Sequence, residues 1–275
     1  MARSFAPAAF CAALCLTLSG CLDYREQIRL EPDGSGTMVV DFLVDLGLMN
    51  EVAKAFGDEP DPAAQKGPTR EEILQGLKVD GIRVDALDVR HKGDLTKVHI
   101  ELHFDSLEKL SLIQGFGDDR KMEFFDNGDG RVRVVYSFDT RDVIPLEELG
   151  EEPANGQELD PIEKKVLEIT ARARQRLRFR ARVEFPGPIL KSNGGPDTRK
   201  PPSPNARVWR IDAKSDPRRH ARLGRGKIVM QLLVDRSTVP WVKTLQPLPG
   251  KARPPARGAG KDRAPGGMPP RGLGD

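Results

Sequence analysis

From Val98 to Phe104 every second residue is apolar, and the residues between them, His99, Glu101 and His103, are polar. A period of two belongs to a strand with one covered and one open face, and no helix can satisfy it. The same period recurs, with a change of phase, in Ile82, Val84, Ala86 or Leu87 and Val89, and again in "TMVVDFLV", in "RVRVVYSF" and in the run Leu177, Phe179, Ala181, Val183, Phe185. A chain carrying this many half-covered strands must build a sheet and a layer to cover it.

Turn residues pair the strands. "YREQIRLEP" and "TMVVDFLV" flank "DGSG"; the strands around 82–104 flank Lys-Gly-Asp; "KMEFF" and "RVRVVYSF" flank "DNGDG". Asp-Gly and Asn-Gly between alternating runs signal hairpins. Further strands are predicted at 177–185, 206–212 and 227–234. Helical spacing predicts a helix over Asp45–Phe56, and Thr69 followed by Glu72 has the form of a capping box opening a second to about Leu77. Ser106 opens a third, and Asp160 caps a fourth, with Pro161 at its first position. The expectation is an α+β domain over residues 21–240, a mainly antiparallel sheet built from successive hairpins and covered by three or four helices. Residues 241–275, rich in Pro, Gly and basic groups, have too few apolar side chains to fold and are expected to be disordered.

The N-terminus constrains location. Arg3 precedes an apolar stretch from Ser4 to Leu18, long enough for a secretory leader and shorter than the roughly 20 residues of a spanning helix. It ends in Leu18-Ser19-Gly20-Cys21, which resembles the lipobox of bacterial lipoproteins. That resemblance implies a signal peptide at 1–20, cleavage between Gly20 and Cys21, and an acylated Cys21 as the new N-terminus. Cys11 and Cys15 would leave with the leader, so the exported domain would hold no free thiol and no disulfide. Cysteine catalysis and redox chemistry are thereby excluded.

Charge is divided along the chain. Residues 22–159 hold 16 Lys+Arg against 31 Asp+Glu, a net of −15, and residues 160–275 hold 27 against 10, a net of +17. The two halves are expected to face each other or to face different partners. Arg178, Arg180 and Arg182 alternate along one predicted strand about 6.6 Å apart, a spacing suited to successive anionic groups. These arginines are candidates for anion or headgroup contact; the alternative is internal pairing with the acidic half. An exported lipoprotein with no recognition motif is not expected to bind nucleic acid.

Other constellations carry less. His99 and His103 stand about 13 Å apart along their strand, too far to share one ion, so a metal site would need His91 from the neighbouring strand; no metal is expected. "DNGDG" from Asp126 has glycine at ligand positions of a calcium loop and Ser137 at its twelfth, so it reads as a turn. No Ser, His and Asp set supports catalysis, and neither an enzyme nor a cofactor is expected.

"VEFPGPILKSNGG" at 183–195, followed by "RVWRID", is similar to the strand, Pro-Gly, Ser-Asn-Gly and later Trp pattern of LppM-like bacterial lipoprotein domains, and "DGSG" and "FDSLEKL" fit the same group. The resemblance would run from about Leu22 to Val234. It implies an α+β domain at the cell envelope that binds lipid or glycolipid, with no catalytic residue to carry over. Many such proteins have a C-terminal membrane helix, whereas this sequence ends in a Pro/Arg/Gly tail, leaving Cys21 as the expected anchor. The residues alone also allow a structural or assembly lipoprotein contacting an envelope protein or the cell wall. Leu22 after the cysteine, with Asp23 one later, favours the outer membrane.

Overall fold

The computed structural model describes residues 21–55, 67–110, 112–113, 121–139, 160–198, 203–220, 223 and 227–248. The leader with Gly20, the acidic stretch 140–159 and the tail from 249 lie outside the described residues.

The three predicted hairpins form. β1 (Cys21–Leu30) and β2 (Gly36–Asp45) are joined by a turn in which the Asp33 carboxylate accepts from the Ser35 amide at 3.0 Å and hydroxyl at 2.6 Å. Gly34 adopts φ 91°, open to a glycine, and the Trp241 ring lies where a Cβ would sit. β3 (Ile82–Lys92) and β4 (Leu95–Phe104) make the second hairpin, and β4 pairs with β2 along its whole length. β5 (Lys121–Gly128) and β6 (Arg131–Asp139) make the third.

The long-range arrangement differs from the expected single, mainly antiparallel sheet under helices. The described chain is mostly β, in two mixed sheets. The first runs β3-β4-β2-β1-β7-β10-β9, with β7 (Arg178–Glu184), β9 (Gly195–Pro196) and β10 (Ala206–Ile211) added beside β1. Its join is parallel, Asp23 opposite Arg178 through Arg29 opposite Glu184. The second runs β12-β5-β6-β11-β8, from β8 (Ile189–Ser192), β11 (Lys227–Asp235) and β12 (Gln246–Pro247), and β12 is parallel to β5. Alternation shows that one face is covered without showing by what; here each sheet covers the other.

One core lies between the sheets. Ile28, Val40, Ile100, Phe104 and Val183 of the first pack with Val132, Val134, Met230 and Leu232 of the second. Tyr24 stacks on both Phe138 and Phe179, with ring centres 5.7 and 5.6 Å away. The helices are few and short. α1 (Leu46–Ala55) and α4 (Pro161–Arg176) pack on each other through Leu48, Ala55, Val166 and Ile169, a cluster apart from the main core. α2 (Arg70–Gly76) opens on the predicted capping box, the Thr69 hydroxyl accepting from the Glu72 amide and the Thr69 amide donating to the Glu72 carboxylate. Asp160 and Glu163 reciprocate in the same way at the start of α4. α3 (Leu107–Leu110) and α5 (Pro217–His220) are single turns. Among the described residues no helix is long and apolar enough to cross a membrane.

The Ser-Asn-Gly-Gly stretch is where the chain leaves one sheet for the other, from β8 to β9. Asn193 joins them: its Oδ1 accepts from the Trp209 indole at 2.9 Å and from the Gln231 amide at 2.9 Å, and its Nδ2 donates to the Val229 carbonyl. Gly194 lies under the same indole, and a Cβ there would stand 2.5 Å from Trp209 Cε2. Trp209 is buried, so losing its acceptor strands a donor in the core. Asn193→Ala is expected to destabilise the domain by about 1–3 kcal/mol, and Gly194→Ala to lower the urea midpoint too by forcing the indole aside. Urea denaturation followed by tryptophan fluorescence measures both; unchanged midpoints would remove this role for the crossing.

Candidate functional site

A cavity of about 640 Å³ opens between the sheets. Its apolar walls come from Ile28 on β1, Met38 on β2, Leu107 and Leu110 on α3, and Met122 and Phe124 on β5. Each is delivered by local sequence logic. Ile28 and Met38 are inward residues of alternating strands and directly opposed in register. Ser106 begins α3, its hydroxyl accepting from the Lys109 amide, which turns the chain after β4 so that Leu107 and Leu110 share one side. Trp241 and Val242 close the cavity from the C-terminal segment, Trp241 meeting Phe124 edge-on at 5.2 Å. That segment is held by Arg236, whose guanidinium donates to the Val242 carbonyl. Glu108, Lys121, Glu123 and Lys243 supply charge to the lining.

Tyr136 also lines the cavity, and its hydroxyl donates to the Glu26 carboxylate at 2.6 Å; Tyr24 donates to the other oxygen at 2.8 Å. Glu26 is thus a buried acid held across the two sheets by phenols. An apolar chamber of this size with a charged rim can hold the hydrocarbon part of an amphiphile while leaving its polar part at the mouth.

The candidate residues read from sequence fall elsewhere. Cys21 is the first residue of β1, opposite Val44. Arg178, Arg180 and Arg182 share the outer face of the first sheet, away from the cavity, in three different environments. Arg182 is buried, 3.1 Å from Asp197 and 2.7 Å from Glu184, both from its own half of the chain. Arg180 is half-buried and Arg178 exposed. In register across the strands, the outer face reads Asp88, His99, Asp41, Arg25, Arg180, Arg210. The two charge classes therefore lie side by side on one sheet, with their border between β2 and β1. His91 stands opposite Thr96 and hydrogen-bonds its hydroxyl, on the face opposite to His99. "DNGDG" is the β5–β6 turn, with positive φ at Gly128, Asp129 and Gly130.

Sequence reasoning passed over Trp241 and Val242, which pack on the core beyond residue 240. The signal was present: a tryptophan and a valine after Pro240 are out of character with the tail that follows. It also passed over Glu26, because a glutamate on the inward period of β1 conflicts with burial unless its partners are known.

His99 donates to Asp41 at 2.9 Å and Glu101 at 3.1 Å, and the hydrogen bond to Asp41, more than any other contact, raises its pKa above the ordinary histidine value. A raised folded-state pKa stabilises the fold fully below the unfolded value of about 6.5, and that contribution fades as pH rises through the folded value. His99→Gln is expected to lower the urea midpoint more at pH 5.5 than at pH 8; an equal loss at both would show that the charge on His99 adds nothing.

No family model and no curated protein matches the chain. Among solved structures it is similar to the NMR structure of the folded domain of the Mycobacterium tuberculosis protein LppM, at 12% identity over 78% of this chain and 90% of that chain, with a TM-score of 0.34. A likeness that slight decides neither topology nor function, which rest on this chain's own residues.

Proposed function

We propose that this chain is a non-enzymatic lipoprotein of the bacterial cell envelope, anchored by an acylated Cys21, whose inter-sheet cavity holds the hydrocarbon portion of a lipid or glycolipid. The observation that carries the binding part is the chamber of about 640 Å³ walled by Ile28, Met38, Leu110, Met122, Phe124 and Trp241. Burying apolar ligand surface there contributes roughly 25 cal/mol per Å². Lys121, Glu123 and Lys243 of the lining place charge where a headgroup would lie. The anchor is supported by the Leu18-Ser19-Gly20-Cys21 pattern after a short apolar leader. Acyl chains contribute about 0.8 kcal/mol per buried CH₂. Outer-membrane residence is the preferred location, from Leu22 following the cysteine.

Two measurements test the two parts separately. Mass spectrometry of the N-terminal peptide is expected to find Cys21 acylated and residues 1–20 removed, with Cys21→Ala leaving the leader attached; an unmodified Cys21 overturns the anchor. The mature chain carrying Cys21→Ser, purified from cells, is expected to carry lipid detectable by mass spectrometry. Met122→Trp, which fills the chamber, is expected to reduce that lipid about tenfold while the fold is kept. Absence of co-purified lipid, with none transferred from liposomes, would overturn lipid binding and leave a structural or assembly lipoprotein as the reading.

A further inference from the structure

Trp209 and Trp241 are the two tryptophans of the chain, and their indoles stand in opposite conditions. The Trp209 N–H donates to Asn193 at 2.9 Å, whereas the Trp241 N–H is buried and has no acceptor among the described residues. A bare buried donor is destabilising, and one that a fold keeps calls for a reason. Three buried side-chain nitrogens share this state among the described residues, His220 Nε2, Arg236 Nη1 and Trp241 Nε1; of these residues Trp241 alone lines the cavity.

The Trp241 ring is hemmed in on two sides. Gly34 backs it so closely that a Cβ there would stand 2.8 Å from Cδ2, and Phe124 meets it at 84° with 5.2 Å between ring centres. Free space lies on the cavity side, so a turn of the ring that brings its N–H to an acceptor is a turn into the cavity. The residues that follow, Val242, Lys243 and Thr244, carry the lining from apolar to charged and polar. An acceptor meeting Trp241 therefore sits at the level where hydrocarbon gives way to headgroup.

The charges decide which oxygen suits that position. Lys121 and Lys243 are matched in number by Glu108 and Glu123, and the Glu26 carboxyl lies behind Tyr136. The lining thus has no net positive charge with which to hold an ionised carboxylate, and burying one against a single neutral donor is costly. A neutral carbonyl is desolvated at far lower cost and can accept the one N–H on offer.

We infer that the ligand of the cavity is an acyl ester whose carbonyl oxygen accepts from the Trp241 indole as the ring turns towards it. The inference rests on the reading of the cavity as a lipid site and adds the group that selects the lipid. Burial of hydrocarbon is non-directional and cannot tell one chain linkage from another. A donor at the junction of chain and headgroup can, because an ether-linked chain of the same length fills the apolar walls and leaves the N–H bare.

The test uses the mature chain, residues 21–275, with Cys21→Ser, freed of co-purified lipid. It is titrated calorimetrically with 1-decanoylglycerol, with 1-O-decylglycerol, which has a CH₂ in place of the carbonyl, and with decanoate. The ester is expected to bind about tenfold more tightly than the ether, the difference made by satisfying one buried donor, and more tightly than decanoate. In Trp241→Phe, which keeps an aromatic ring and removes the donor, the ester is expected to fall to the affinity of the ether. Nitrogen-15 labelling gives one indole N–H resonance for each tryptophan, and the one lost in Trp241→Phe is assigned to Trp241. The ester is expected to move that resonance downfield, the ether to move it less, and both to leave Trp209 in place. Thermal melts verify that the variant folds; if it does not, the ester and ether pair and the Trp241 resonance of the unaltered ring carry the test. Equal affinities for ester and ether would overturn the inference while leaving the cavity a lipid site. So would an ester preference that survives Trp241→Phe, or tighter binding of decanoate, which would mark a carboxylate site. Binding of none of the three would overturn the lipid reading itself and this inference with it.

Discussion

The parallel pairing of β1 with β7 is the constraint on which the rest of the structure depends. It joins the two halves of the chain in a single sheet, and its register decides what meets on each face. Inward, Tyr24 lies level with Phe179, Glu26 with Ala181 and Ile28 with Val183. The small Ala181 leaves room beside the Glu26 carboxylate, which Tyr24 and Tyr136 then satisfy, as a buried acid requires. Outward, the same register aligns Arg25 with Arg180 and sets Arg178 near the residue expected to carry the acyl chains. A shift of one residue would turn Arg178, Arg180 and Arg182 into the core.

The second sheet depends on this join in turn. β8 is an edge strand of one sheet and β9 an edge strand of the other, so the chain passes from edge to edge in the few residues around the exposed Asn193. A side-chain amide there can accept from Trp209 and Gln231 and donate to Val229, where a hydrocarbon would leave three backbone or indole groups short of partners. Trp241 does the corresponding work at the β1–β2 turn, resting on Gly34 and closing the cavity whose far wall is the second sheet. Sheet-to-sheet contact is complete around Tyr24, Phe138 and Phe179, and incomplete around Met38, Leu110 and Met122, where the chamber lies.

This division also explains what could be read from sequence. Hairpins, capping boxes and the Asp-Gly turns are local: the period of two, a carboxylate three residues from a hydroxyl and a glycine at positive φ are visible within a few residues. The β1–β7 pairing is set between strands far apart in the chain, and nothing in either strand announces its partner. β8, β9 and β12 are too short to show a period, which hid the second sheet and turned a two-sheet body into an expected sheet under helices. The cavity was equally invisible, since its walls come from six separated segments. Trp209 could be anticipated as an anchor on its strand, but Asn193 as its acceptor could not.

The charge division acquires a geometric meaning only once the register is known. Along one row of the outer face, Asp88, His99 and Asp41 occupy β3, β4 and β2, and Arg25, Arg180 and Arg210 occupy β1, β7 and β10. Had the acidic and basic halves been folded face to face, the charges would have cancelled in pairs. Laid edge to edge on this sheet, they meet at the border, where Asp41 stands opposite Arg25, and the halves pair again where Arg172 meets Glu51 and Arg176 lies 3.6 Å from Asp45; His99 eases the crowding of carboxylates on the acidic side by donating to two of them.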